Sequence, residues 1–186
     1  VGVTADSMIE AEKSFNSEQF QFLESKPKNA TLEGFLFPDT YRVSAEPTAQ
    51  EIVGKLLANF QIKFEQASSQ VEKNQSGRFI IPGYEKLKIN GLPDMSIYNL
   101  VTLASILERE TGRDISAGGS DSRARLLEER KIVAGIFYNR LMSGQALQSD
   151  ATVNYATGKS AAAPSYNDLE VNSLYNTYKH AGLPPG

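Results

Sequence analysis

The sequence predicts an α+β domain, on three observations. Three segments carry apolar residues at helical spacing, within 48–73, 100–114 and 123–144. A Gly- and Pro-punctuated stretch, "NQSGRFIIPGYEKLKINGLPDMS", suits short strands. The part after residue 144 is rich in loop-forming residues. A chain of 186 residues fits one domain, or one with a small appendage, and is long enough to bury a core. The expected architecture is a single domain with central helices, short β-strands and a loop-rich C-terminal part.

Taken in order, "ADSMIEAEKSFNS" and "SEQFQFLES" read as short N-terminal helices. "ATLEGFLFPDTYRVSAEPT" is aromatic-rich, and Pro38-Asp39 is a turn signal, so this piece is extended or looped. A helix follows with Ile52, Leu56, Leu57, Phe60 and Phe64 apolar and Thr48 as its N-cap. After the strand-like stretch, Pro93, Asp94 and Ser96 open the helix "LVTLASILERETGRD". Residues 112–122 form a loop by composition. "RARLLEERKIVAGIFYNRLMSG" is a second strong helix, with Leu126, Leu127, Ile132, Val133, Ile136, Phe137 and Leu141 apolar. The remainder is loop and short helix. There is no internal repeat.

Composition narrows the chemistry. The chain is 40% hydrophobic and 22% charged, neither collagen-like nor disordered. A net charge of -3 argues against a nucleic-acid surface. With no cysteine, disulfides, thiolate catalysis and Cys-ligated zinc are excluded. His180 stands alone, so a Ser-His-Asp triad would have to use it and a two-His metal motif cannot exist. No apolar run approaches the ~20 residues of a membrane helix, and no signal peptide is visible. The chain begins at Val1, not Met, so a piece of a longer protein is expected.

Two carboxylates stand near the end of the third helical segment. Residues advance by about 100° each around a helix. With Leu103 at zero, Leu100, Ile106 and Leu107 fall within about 60°, and Glu110 about 20° away. Asn99 also lies on this face, so the stripe is apolar in its middle and polar at its ends. Glu108 points about 140° away, beside Val101 and Ala104. A carboxylate on that stripe holds its proton for two reasons. Desolvation disfavours the charge, and the helix C-terminus implied by Gly112 adds partial negative charge. A raised pKa is what a general acid needs near neutral pH. On the helix alone, the plainer reading is an ordinary surface charge where the stripe reaches solvent.

Five pieces then occur in order: "LEGFLFPDTYRV", "LASILERETG", "KIVAGIFYNRL", "LQSDATVNYA" and "YNTYKHAGLPPG". Together, from about residue 32 to 186, they resemble the MltG (YceG-like) family of endolytic murein transglycosylases. The resemblance implies a catalytic domain with 1–31 as a helical lead-in and 32–186 as the motif-bearing core. It implies bacterial enzymes that cut peptidoglycan glycan strands internally, at the extracytoplasmic face of the inner membrane. The family's catalytic glutamate is the second acid of an E-x-E-T pattern, here Glu110. One glutamate then suffices to cleave between N-acetylmuramic acid and N-acetylglucosamine with a 1,6-anhydro product. No metal and no cofactor are expected. The expected partners are glycan strands and the wall-synthesis machinery, with no nucleic acid. Any membrane contact is expected only through an anchor missing from this sequence, as is the family's LysM-like domain.

The other matched motifs supply candidates for the cleft. Gln148, Ser149, Asp150 and Thr152 suit sugar hydroxyls and acetamido groups. Asn176, Thr177 and Tyr178 offer the same chemistry, with a ring to pack on a pyranose face. Glu33, Phe35, Pro38, Asp39 and Tyr41 form a third set. Each has a structural alternative. Asp39 and Asp150 suit turns and caps, and Phe35 and Phe37 suit the core. Asn139 and Arg140 suit a helix C-terminus, and His180 a structural or surface role. The segment 112–130 is longer than the family leads one to expect, and suits a mobile insertion beside the cleft. The chain stops at "GLPPG", where the family continues, so part of the catalytic domain is expected to be missing. Two other functions fit: a silent glycan-binding module, and a conventional hydrolase pairing Glu110 with Asp39 or Asp150. The hydrolase needs its carboxyl groups within about 5 to 10 Å.

Overall fold

The computed structural model describes residues 2–68, 95–112, 120–160 and 163–185. Those residues are mostly helical: α1 (Ala5–Ser14), α2 (Ala49–Ser68), α3 (Ile97–Thr111), α4 (Ser120–Met142), α5 (Asp150–Thr157) and α6 (Tyr166–Leu169). The strands expected within 74–96 fall almost wholly outside the described residues; Met95 carries a single bridge. No described helix is long and apolar enough to cross a membrane. The chain divides into two compact units. One gathers residues 1–82 and 94–101, the other 83–93 and 102–185, so the division falls within α3.

In the first unit, Thr4 starts α1 through a reciprocal capping box with Ser7. The second expected N-terminal helix is instead two 3₁₀ turns, Ser17–Gln19 and Gln21–Leu23. Phe20 between them is extended, at φ -120°, and buries its ring. Burial of Phe20, Phe22 and Leu23 in this short piece outweighs continuous helix. Gln50 of α2 donates to Ser14 Oγ at 3.0 Å and to the Ala11 carbonyl at 3.3 Å, tying the two helices. As expected, Thr48 Oγ1 caps α2, accepting from the Glu51 N–H at 3.1 Å.

The core of this unit is aromatic. Phe22 and Phe60 lie 5.0 Å apart, Phe35 and Phe60 meet edge-on at 5.2 Å, and Phe35 stacks on Tyr98 at 6.3 Å. Val53 and Leu57 are fully buried beside them. Phe35 thus belongs to the core, and Phe37 packs against it. Gly34 makes this possible. Its φ is +85°, and a Cβ there would stand 2.9 Å from Val101 Cγ1, so any side chain clashes and strains.

In the second unit, Leu103, Ile106, Phe137, Leu141, Leu147 and Val153 are buried. The helix expected from residue 123 already runs from Ser120. Not all its apolar residues are covered: Ile132 is 65% and Ile136 50% exposed. The reason is angular. The pairs Ile132/Ile136 and Phe137/Leu141 lie about 140° apart on the wheel, and one core can take only one of them. Gly112, at φ +79°, ends α3. Arg130 of α4 closes that end, donating to Thr111 Oγ1 at 3.2 Å and to the Gly112 carbonyl at 2.9 Å. Gly158, left-handed at φ 66°, ends α5. Ser165 and Asp168 box the start of α6, and Lys159 pairs with Asp168 at 2.6 Å.

Candidate functional site

Glu110 stands in the last turn of α3 and is exposed. The burial expected from the apolar stripe is not found: Leu103 and Ile106 are buried, Leu107 is half-buried, and the stripe ends before Glu110. Polar anchoring replaces burial. Ser149 Oγ donates a short hydrogen bond to Glu110 Oε1. Oε2 has no partner among the described residues. Glu108, off the stripe as expected, is also exposed.

Ser149 occupies the N-cap of α5, where a serine hydroxyl ordinarily accepts from the first-turn N–H groups. Here it makes no cap bond and turns to Glu110. Its main chain is fixed separately. The Ser149 N–H donates to Thr177 Oγ1 at 3.1 Å, and Thr152 Oγ1 donates to the Ser149 carbonyl at 2.7 Å. The two threonine hydroxyls are 2.8 Å apart. Thr152 has spent its proton on the carbonyl, so Thr177 donates to Thr152. A closed circuit therefore runs from the Ser149 N–H through Thr177 and Thr152 back to the Ser149 carbonyl. All three residues are at most 3% exposed.

Gln148 precedes the serine in the left-handed region, at φ 55°, as the sole non-glycine residue there among those described. Such a conformation costs about 1–3 kcal/mol and persists only where neighbours enforce it. Two do. The Gln148 N–H donates to the Thr177 carbonyl at 3.0 Å. Arg140 Nη1 donates to Gln148 Oε1 at 2.9 Å and to the Ala146 carbonyl at 2.8 Å. Tyr178 donates its phenolic proton to Asp150 Oδ1 at 2.6 Å. Burial pushes the Tyr178 phenol up to about 12, helped by Asp150 and by the charge of Glu110, with Arg140 opposing. Tyr178 is therefore a neutral donor throughout the physiological range.

The structure thus groups Glu110 with Ser149, Thr152 and Thr177, and links Gln148 to Thr177 and Asp150 to Tyr178. Their roles differ from those expected. Thr152 and Thr177 are buried in the circuit instead of facing a sugar. Asn176 is fully buried: its amide donates to the Leu169 and Val171 carbonyls at 2.8 and 3.0 Å, and its Oδ1 accepts from the Tyr178 N–H at 3.1 Å. It shapes the C-terminal arm and cannot also reach a ligand. Gln148 is exposed, and Asp150 and Tyr178 are half-buried. Arg140, expected only to favour a helix C-terminus, holds Gln148. No sequence signal pointed to that bond, which spans a turn of eight residues.

Glu33, Asp39 and Tyr41 belong to the first unit. Glu33 is exposed, its N–H donating to Thr31 Oγ1 at 3.2 Å. Asp39 accepts from the Thr40 N–H at 2.8 Å and from Asn59 at 3.1 Å. Those bonds, Thr40 first, hold its carboxyl below the usual range. Tyr41 donates to the Phe37 carbonyl at 2.5 Å and accepts from Asn59 at 2.8 Å. Asp39 and Tyr41 thus fasten their loop to α2 through Asn59.

Known proteins are similar to this sequence. The sequence profile of the YceG-like family matches residues 3–186. A Bacillus subtilis (strain 168) protein named endolytic murein transglycosylase is 36% identical over 155 residues, covering 83% of this chain and 34% of that protein. A Streptococcus pneumoniae (serotype 2) protein of the same name is 33% identical over 160 residues, 83% of this chain and 23% of that one. The chain thus spans 34% and 23% of these two relatives. The crystal structure of a yceG-like protein from Listeria monocytogenes superposes with a TM-score of 0.59 at 30% identity, covering 97% of this chain and 48% of the other.

Proposed function

The chain belongs to the YceG-like family, and on that premise we propose that it is catalytic-domain sequence of an endolytic peptidoglycan lytic transglycosylase. The observation that carries this is the held carboxylate: one Glu110 oxygen fixed by a serine that has left its cap, the other open. In this reading Glu110 protonates the glycosidic oxygen between N-acetylmuramic acid and N-acetylglucosamine, and that C–O bond breaks. The Glu110 carboxylate then takes the proton from the muramic C6 hydroxyl as its oxygen closes on C1. The product is a 1,6-anhydro end and no water is consumed. Accessibility of Glu110 suits a polymer that must be gripped mid-strand.

Ser149 serves both halves of the cycle. Its hydroxyl donates to Oε1 in both states: to the carbonyl oxygen of the acid, whose proton sits on Oε2 toward the glycosidic oxygen, and to the carboxylate that follows. The circuit through Thr152 and Thr177 holds its backbone still while it does so. Asp150 and Tyr178 present the sugar-binding polar edge beside it. Nascent strands at the extracytoplasmic face of the inner membrane are the proposed setting, with the wall-synthesis machinery as the proposed partner. The α+β class belongs to the same proposal.

Mass spectrometry of digested peptidoglycan tests the reaction. Released fragments should end in anhydro-muramic acid, each one water lighter than a hydrolytic product. Reducing ends alone would replace the lyase with a two-carboxylate hydrolase. The exposure of Glu110 favours one other reading, a silent glycan-binding module; strand binding with no cleavage would establish it.

A further inference from the structure

Arg140 fixes which way the Gln148 amide faces. A guanidinium only donates, so the amide atom 2.9 Å from Arg140 Nη1 is the oxygen. The amide nitrogen therefore points away from Arg140. It has no partner among the described residues, and the residue is exposed. The left-handed backbone, φ 55°, carries this side chain immediately before the serine that holds Glu110. Arg140 takes one lone pair of Oε1 and leaves both Nε2 protons free, so Gln148 turns its donor side outward, backed by the positive charge of Arg140.

We infer that Gln148, oriented by Arg140, is a specificity-determining residue that reads the 2-acetamido group of the glycan and rejects the free amine. The inference rests on the proposed glycan substrate. Sugar hydroxyls donate and accept, so the outward Nε2 donor does not discriminate among them. An acetamido carbonyl only accepts and matches Gln148 Nε2. A de-N-acetylated hexosamine presents an ammonium, which only donates; it meets a donor with a cation behind it. Both the missing hydrogen bond and the charge then work against the amine.

The test uses glycan strands from one peptidoglycan preparation, chemically de-N-acetylated, with a portion re-acetylated as control. Binding is measured with Glu110→Gln, so that strands are not consumed, at a pH that keeps the amine protonated. Acetylated strands should bind about ten-fold tighter, the worth of one such hydrogen bond. Adding Gln148→Glu keeps the size and the Arg140 contact but removes the donor. The preference should then vanish or reverse, with thermal melting unchanged. Equal binding of both strands, binding of neither, or a preference that survives Gln148→Glu overturns the assignment. Cleavage by the unsubstituted chain is assayed in parallel. Absent cleavage with the binding preference intact removes the proposed catalysis and leaves this assignment standing.

Discussion

The two units hold themselves together by different means. The first is a nest of rings, with Phe22, Phe35, Phe60 and Tyr98 packed within 6.3 Å of a neighbour. The second buries Ser149, Thr152, Asn176 and Thr177 and ties them by directed hydrogen bonds. Apolar packing is non-directional and tolerates exchange at constant volume. A buried hydrogen bond demands one geometry, and an unmade one costs the full desolvation of its atoms. The proposed chemistry belongs with the second kind, because a proton donor must be held at a set angle, not merely enclosed.

The largest effect that would break this contrast is at Glu110. Glu110→Gln keeps the shape but cannot deliver a proton, so strand cleavage should fall by ~10⁴ or more, the top of the range for acid–base groups. Glu108→Gln, on the opposite side of the helix, should lose far less; a dead Glu108→Gln with an active Glu110→Gln would reverse the assignment. Next comes Leu57→Ala in the first unit. It should cost about 2–5 kcal/mol in chemical denaturation while leaving the rate per folded molecule near that of the unsubstituted chain. Thr177→Val is the matching cut in the second unit. It should cost about 1–3 kcal/mol by stranding the Ser149 N–H, and it should slow cleavage per folded molecule as well. Equal kinetic behaviour of Leu57→Ala and Thr177→Val would erase the distinction.

The smallest effects are in pH. The Tyr178 phenol is raised from 10.0 to about 12, so the folded state holds its proton more tightly than the unfolded chain. Its contribution is fully present below pH about 10 and is lost as pH rises through about 12. Asp168 runs the other way. Lys159 and Ser165 lower it from 3.8 to about 2, so its contribution is present above pH about 4 and is lost as pH falls through about 2. Tyr178→Phe should flatten the alkaline limb of a melting-temperature profile, and Asp168→Asn the acid limb.

Much of the helical framework was legible because periodicity and caps are local. Thr48, Gly112 and the apolar stripe through Leu103 and Ile106 read correctly from neighbouring residues. Glu110 was singled out by its angle on the same wheel. Its surroundings were not legible, since Ser149 lies 39 residues away and Thr177 a further 28 beyond that. A left-handed glutamine has no sequence signature, and neither has a cap serine that declines to cap. Ile132 and Ile136 misled for a related reason: an apolar residue at helical spacing reports a stripe, but not whether anything covers it.

Helix ends ordinarily fray, opening and closing within nanoseconds to microseconds. Glu110 sits on such an end, one residue from Thr111. Arg130 clasps that end through Thr111 Oγ1 and the Gly112 carbonyl. The turn that should be the loosest in α3 is thereby fastened to α4. Amide protons of residues 109–112 should exchange with solvent at rates closer to a helix interior than to a terminus, and Arg130→Ala should release them first. Positional memory at Glu110 thus comes from a side chain twenty residues further along, which never needs to meet the substrate.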